Sequence, residues 1–583
     1  MKKPGIILIC LLIGIIIVCF LVKGFFCTHP TVTPVTRAPV TPNSQLYIVG
    51  AGISGLATAV DAIQDANISG KNIHILEELN MPGGALDSKG GTNNKPYKAR
   101  GARLMDPTVY RSFFKLLAKI PSLADQEEME KLGNNSEALK NYKIKKTLSD
   151  ELHEFMLTHK LDSKTRLVAK DQRIIDHTKF GLKMKDKLDI FKMTLSSEEK
   201  YNGKRIDDVF QPSFFESNFW YMWSSIFGFQ PWHSAIEMRR YVRAFFHDLD
   251  QLAELHESGW NTPYNNYEAV VMPTVKWLRT QGVNFDMGRK VTDVDFKPTV
   301  EEKTVQKIHY IQNGVKKDIV VNNGDFVFIN IGSEVADSRE GSMHTVPVLE
   351  RNKVDGAWTL WEKMAAKQPG LGNPLNFTNN IDHSKFEIFN ITTKGDLLKD
   401  LILKFTKNKR LGEQHEVIFT ESPWQLFVHI PWQPFVKNQD KDTYIIMGLC
   451  LKHNKGDYIK KAMEDCTGEE ILTELCYQFG FMKELPEILK SSDVSTFMLP
   501  YITSKFLPRT TFDRPPVVPD KSTNLAFLGQ HTEIPEECVF LVNYSTLSAE
   551  IAVYTLLNVN KEVTPIYHGT RNLWNWVKAI YWM

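Results

Sequence analysis

The stretch that most constrains this chain is a short apolar strand, Gln45-Leu-Tyr-Ile-Val49, running directly into Gly50-Ala-Gly52-Ile-Ser-Gly55 and an apolar helix through Leu56, Ala57, Ala59, Val60 and Ile63. Each glycine has its own physical task. Gly50 permits the tight turn, Gly52 lets the backbone approach a pyrophosphate, and Gly55 lets helix and strand pack closely, with the phosphate at the helix N-terminus. A second strand, Asn72-Ile-His-Ile-Leu76, ends in Glu77, twenty-two residues after Gly55. A carboxylate there can accept from both ribose hydroxyls of a dinucleotide. Strand, glycine turn, helix, strand and acid in that order predict a Rossmann-type βαβ unit in an α/β protein.

Two further glycine loops, Met81-Pro-Gly83-Gly84-Ala85-Leu-Asp87 and Arg100-Gly101-Ala-Arg103, resemble those of flavoproteins of the amine-oxidase and desaturase-like kind, so the expected cofactor is FAD rather than NAD. Asp325-Phe-Val-Phe-Ile-Asn-Ile-Gly332-Ser333 reads as a buried strand ending at a glycine. Asn524-Leu-Ala-Phe-Leu-Gly529-Gln530 reads as another, before a helix from about Ser545 to Leu557. The cofactor domain is thus assembled from three separated stretches.

With 583 residues and 43% hydrophobic content, the chain can build a large core in two or three subdomains. Seventy Lys plus Arg against sixty-eight Asp plus Glu leave a formal charge of +2, so no global field gathers phosphates and nucleic acid is not an expected partner. Cys450, Cys466, Cys476 and Cys538 have neither CxxC nor zinc spacing, and Cys10, Cys19 and Cys27 fall in or beside an apolar segment. No disulfide framework and no metal site is indicated.

That apolar segment, Gly5 to Val22, follows Met1-Lys-Lys-Pro and is ended by Lys23. Its eighteen residues rise about 27 Å as a helix, close to the thickness of a bilayer core. It is longer than a usual signal-peptide core and no small-x-small cleavage site follows, so it reads as an uncleaved transmembrane anchor. Lys2 and Lys3 with the α-amino group outweigh Lys23, which leans toward a cytoplasmic N-terminus. Glycosylation sequons at Asn67, Asn134, Asn376, Asn390 and Asn543 are neutral on this point. Thr28 to Ser44, rich in Thr, Pro and Val, reads as an extended stalk.

Beyond the stalk the sequence resembles the oleate hydratase family, also called the myosin-cross-reactive antigen family. Long motifs carry the resemblance: Ser217-Asn-Phe-Trp-Tyr-Met-Trp223, Trp232-His-Ser-Ala-Ile-Glu-Met238, Gly356 to Lys367, Glu464-Asp-Cys-Thr-Gly-Glu-Glu470 and Pro500-Tyr-Ile-Thr-Ser504, with Gly529-Gln530. Such a resemblance implies an FAD-dependent hydratase that adds water to the cis double bond of a long-chain unsaturated fatty acid, without net redox change in the flavin. It implies an amine-oxidase-like FAD domain carrying helical and α+β substrate insertions. The cofactor contacts expected are Gly50, Gly52, Gly55, Glu77, Gly84, Ala85, Arg103, Leu104, Ser333, Gly529 and Ser545.

Hydration needs a proton donor at one alkene carbon and an activated water at the other. Tyr221 matches the family's catalytic tyrosine and is the expected donor. His233 reads as a hydrogen-bonded core histidine. The second role is where the chain departs from the family, whose flavin loop reads Arg-Gly-Gly-Arg-Glu-Met: here Leu104 stands at the glutamate position. Asp106 can substitute if it reaches the water, or it caps a helix before Pro107. The family's carboxylate-binding strand usually contains Asn-Arg-Gln-Pro-His, whereas this chain has Pro431-Trp432-Gln433-Pro434-Phe435 after His429. Either His429 or Gln433 holds the substrate head group, or the ligand is not a free fatty acid.

The partition that follows places the anchor at 1–27 and the stalk at 28–44. Cofactor segments are 45–110, 284–335 and 520–560, a mainly helical insertion is 111–283, and a substrate domain is 336–519. The C-terminal segment 561–583 mixes Trp574, Trp576, Tyr581 and Trp582 with Arg571 and Lys578, which suits either a membrane interface or a helix packed on the body. Membrane lipid is therefore a second expected partner, and a homodimer stays open. Two other functions stay open beside the hydratase: a flavin-dependent lipid oxidoreductase or double-bond isomerase, and a non-catalytic FAD- and lipid-binding relative.

Overall fold

The computed structural model describes residues 36–133, 136–159, 165–175, 180–247, 249, 261–299, 302–409 and 415–582. The expected anchor and residues 28–35 of the stalk lie outside them. No helix among the described residues is long and apolar enough to cross a membrane. The last residues of the stalk lie along the body: Asn72 Nδ2 donates to Pro42 O at 2.8 Å, Ser44 is buried, and Val40 packs on the core.

The nucleotide fold forms as the glycine pattern requires. Strand β1 (Leu46–Val49) enters helix α1 (Ile53–Gln64) and returns as β2 (Ile73–Glu77). Three later strands complete the sheet: β3 (Asn284–Met287), β4 (Phe326–Asn330) and β5 (Leu525–Leu528). The order is β5-β4-β1-β2-β3 and all pairs are parallel. Strands covered on both faces read as continuous apolar runs, which is why Phe326 to Ile329 and Leu525 to Leu528 are wholly buried. A Cβ on Gly55 would stand 2.0 Å from Gly50 O, so only glycine lets α1 lie this close to its turn.

An eight-stranded sheet, mostly antiparallel, forms the second body. In spatial order it runs 339–341, 492–499, 386–394, 443–449, 427–430, 415–419, 166–168 and 174–175. Its last two strands come from the 111–283 segment, so that mainly helical insertion also extends the substrate sheet. A small antiparallel sheet of 289–296, 305–312 and 315–320 follows β3. One face of the large sheet packs on the helices after residue 396 and the other on the insertion. Val417 and Val428 join the first core, whereas Ile418 and Phe427 join the second.

Within the insertion lie α2 (Asn218–Phe227) and α3 (Ala235–Ala244). Ser217 caps α2 by accepting from Trp220 N, and Gly228 ends it in a left-handed conformation at φ 74°. Helix α4 (Val542–Leu556) follows β5 and begins three residues before the expected Ser545. Its second residue is Asn543. It is buried, and its Oδ1 accepts from Ser112 N and Phe113 N at 2.9 and 3.2 Å, capping the helix Arg111–Leu117 from outside. Asn543 and the fully buried Asn390 are therefore not exposed for glycosylation. Helix α5 (Leu573–Trp582) closes the chain. It buries Trp576, whose Nε1 donates to Thr570 O at 2.8 Å, and leaves Leu573, Trp574 and Val577 exposed.

Candidate functional site

A long cleft runs across the carboxyl ends of the parallel strands, where open α/β sheets hold their ligands. At one end Glu77 closes it. Its Oε2 accepts from Ala51 N at 2.7 Å and its Oε1 from Leu79 N at 2.9 Å, which orients the carboxylate while leaving each oxygen a further lone pair. Burial pushes the Glu77 carboxyl up, and those two amides pull it back down. Next comes the turn: Gly50, at φ 101°, donates to Leu76 O, and Gly52 faces Gly84 so closely that a Cβ on Gly84 would lie 3.2 Å from Gly52 Cα. Backbone bare of side chains at the N-terminus of α1 is a cradle for a pyrophosphate.

Toward the other end the cleft is lined by Gly84, Ala85, Arg103, Ser333, Gly529 and Ser545. Gly529 is pinned between β5 and α4 by Ser548 Oγ, and a Cβ there would stand 2.1 Å from Asn330 Oδ1. The first turn of α4 contributes Val542 and Ser545, so the positive end of that helix faces the cleft. The donor set fits FAD. Glu77 is placed for ribose hydroxyls, Gly50 to Gly55 for the pyrophosphate, and the α4 N-terminus for an electron-rich ring edge. Gly55 does not itself line the cleft, in keeping with a packing role.

Several lining residues were not singled out from sequence. Asn330 bridges turn and strand by accepting from Ser54 Oγ at 3.1 Å, and its signal was a polar residue closing an apolar strand. Glu334, directly after Gly332-Ser333, is the hub of a buried cluster. Its Oε1 takes Arg103 Nη2 at 2.6 Å, its Oε2 takes Lys505 Nζ, and both cations sit over the Phe540 ring. Burial lowers the Arg103 guanidinium to about 10, and burial with the Arg103 and Arg514 charges lowers Lys505. Arg100 clamps the cleft rim by pairing Asp87 through two nitrogens and donating to Gly84 O.

Arg103 also lines a second, smaller chamber, with Leu104, Asp106, Tyr110, Phe227, Tyr241 and others. Leu104 thus lies in the chamber and not in the cleft. Asp106 is buried, and its Oδ1 accepts from Thr108 N at 2.8 Å in a tight turn rather than at a helix N-terminus, since the following helix starts only at Arg111. Tyr221 does not line this chamber. It lies on α2 five residues before the lining residue Ile226, about 7.5 Å along the helix. Burial and the carboxylates of Glu216 and Glu421 raise its phenol, which keeps it protonated.

The two expected head-group residues sit elsewhere. Gln433 is wholly engaged: Nε2 donates to Pro431 O and Ile445 O, and Oε1 accepts from Gln439 Nε2 and Ile445 N. That corrects its assignment as a ligand contact, because its amide already holds its own loop together. His429 is buried opposite Glu416 on the adjacent strand, Nδ1 to Oε1 4.0 Å. Burial depresses the imidazole to about 4 and raises the carboxyl to about 8, so both are neutral at pH 7. His233, fully buried, accepts from Gln230 N through Nδ1, as a core histidine does.

Comparison with known proteins agrees with the sequence resemblance. The chain is 32% identical over 555 residues to an oleate hydratase of Streptococcus pyogenes serotype M49 (strain NZ131), covering 92% of this chain and 89% of that protein. It is 28% identical over 566 residues to a linoleate hydratase of Lactiplantibacillus plantarum, covering 90% and 96%. Among solved structures, cyclohexylamine oxidase from Brevibacterium oxydans aligns at 10% identity and a TM-score of 0.48, over 89% of this chain and all of that one. The MCRA family model matches residues 43–554, and the chain belongs to that family, the family of the oleate hydratases.

Proposed function

We propose that the chain is an FAD-dependent hydratase adding water across a cis double bond of a long-chain unsaturated fatty acid, oleate-like in size, to give a hydroxy fatty acid. One observation carries the reading: in a member of this family, a dinucleotide cleft meets a largely apolar chamber at a shared residue, Arg103. FAD undergoes no net redox change in such a hydration and supplies organisation of the reacting space. The chain's own residues do the rest. Tyr221 gives its phenolic proton to one alkene carbon, the water oxygen bonds to the other, and the proton released from water restores the phenol. Apolar walls of Leu104, Phe227, Phe245 and Leu541, in the chamber beside the end of α2, keep the acyl chain apart from bulk solvent.

A second reading rests on Leu104 in the chamber wall and Tyr221 outside it: a lipid-binding relative without turnover, or a flavin enzyme acting on a lipid by redox or isomerisation. The full chain, loaded with FAD in detergent and given mixed cis-unsaturated fatty acids in ¹⁸O-water, decides. A labelled hydroxy acid that disappears with Tyr221→Phe, at unchanged flavin content, is the expected result. Bound FAD with no product rejects hydration, and anaerobic flavin bleaching by the lipid would favour redox chemistry. We further propose that the N-terminal segment anchors the enzyme at the membrane that supplies its lipid substrate.

A further inference from the structure

We propose that Lys505 is a positioning residue for the cofactor: acting through Glu334, it gives the ring end of the cleft a net positive charge that favours the electron-rich form of the bound flavin. This rests on the FAD reading of the cleft and is independent of hydration. Glu334 and Arg103 line the cleft beside Ser333, Gln530 and His531, whereas Lys505 is fully buried and reaches the cleft only through the Glu334 carboxylate.

Burying a lysine is costly unless its charge is paired. Here the pairing is unequal. Lys505 Nζ contacts Glu334 Oε2 and Arg103 Nη2 meets Glu334 Oε1 at 2.6 Å, so two cations share one carboxylate. Among the described residues neither cation has a second carboxylate partner. Both lie instead over the Phe540 ring, Arg103 Cζ at 4.6 Å and Lys505 Nζ at 3.9 Å from its centroid. Phe540 takes a left-handed backbone conformation, φ 73°, that bulky residues rarely adopt, and its N–H donates to Gln530 Oε1 at 2.5 Å. Such strain persists where the surroundings fix it, and here a residue of the cleft wall does so.

Neighbouring charges leave the surplus in place. Arg100 is paired with Asp87, Arg514 faces Glu237 at 3.2 Å, and burial with the Arg514 and Lys505 charges keeps the His531 imidazole neutral. Burial pulls the Lys505 ammonium down as well, and the carboxylate against it is what holds its proton. Reduction makes a flavin ring richer in electrons, and a fixed cation nearby stabilises that form over the oxidised one.

The midpoint potential of the bound flavin, titrated with redox dyes on the FAD-loaded full chain, reads this without turnover. Lys505→Met removes the charge and keeps the side chain's length. Its potential should fall by at least a tenfold change in the oxidised–reduced equilibrium, about 30 mV for a two-electron couple, the effect of one unit charge within roughly 10 Å at an interior dielectric near 20. Lys505→Arg keeps the charge and should hold the potential within about half that shift. A lysine serving packing alone would tolerate methionine better than the bulkier arginine, so the order of the two variants separates charge from structure. The proposal is overturned if Lys505→Met leaves the potential unchanged, or if the Met and Arg variants shift it alike. Where Lys505→Met holds no FAD, Lys505→Gln is read in its place, and loss of flavin from both overturns the proposal, because the charge then serves the fold. A wild-type chain that binds no FAD overturns the proposal and the FAD reading together. The expected shift in a chain that forms no hydroxy acid leaves the proposal standing and rejects hydration alone.

Discussion

Glu416 and His429 are cross-strand neighbours on one face of the large sheet, and each is neutral because burial disfavours its charge. Their effects on stability oppose. The Glu416 carboxyl is raised to about 8 from an ordinary value near 4.5, so the unfolded chain releases this proton first and stability is lost as pH climbs between those limits. His429, lowered to about 4 from near 6.5, costs stability as pH falls through that window, because the unfolded imidazole binds a proton that the folded one refuses. Glu416→Gln should therefore raise the melting temperature relative to wild type at pH 8 and leave it nearly unchanged at pH 4. Equal shifts at both values would show that the carboxyl is not protonated in the fold. Nothing in the pattern Phe427-Val-His-Ile430 announces this pairing, since it depends on which strand lies next door. The glycines of the first turn were legible for the opposite reason, because their constraint is steric and local.

Capping joins separated elements in ways that a linear reading misses. Asn543 looks like part of a glycosylation sequon, yet it sits in the first turn of α4 and satisfies two amide donors at the start of the helix Arg111–Leu117. Asn543→Ala should leave those two buried N–H groups without an acceptor and destabilise the protein by about 1–3 kcal/mol. A thermal melt of the FAD-loaded chain measures it, and a variant melting within error of wild type would show that water replaces the side chain. Because α4 also presents Val542 and Ser545 to the cleft, a lowered flavin content should accompany the loss. Strands β1, β2, β4 and β5 were each readable as apolar runs ending in glycine or an acid. The strand Arg166–Val168 was not, because three residues inside a helical stretch carry no periodicity and take their partner from residues 415–419.

At the scale of the whole molecule, the aromatic C-terminus packs on the body along one side and leaves apolar side chains outward on the other. Helix α5 stacks Trp576 on Phe191 and packs it at a tilt against Phe246 while turning Leu573, Trp574 and Val577 outward. Replacing Leu573 and Trp574 by serine should weaken binding of the FAD-loaded chain to anionic liposomes without changing its melting temperature, since neither side chain is buried. Undiminished binding would assign the membrane contact to another surface, the N-terminal segment first. The strand order of the nucleotide sheet carries a consequence for biosynthesis. Leu46 and Leu525 open its first and last strands, about 480 residues apart, and a ribosome adding about 5–20 residues per second needs roughly 25–95 s to travel between them. For the last roughly 10–40 s of that interval, while the residues between β4 and β5 are added, Phe326 to Ile329 lie along an unpaired edge, and the cleft stays incomplete until Gly529 and Ser545 have been made.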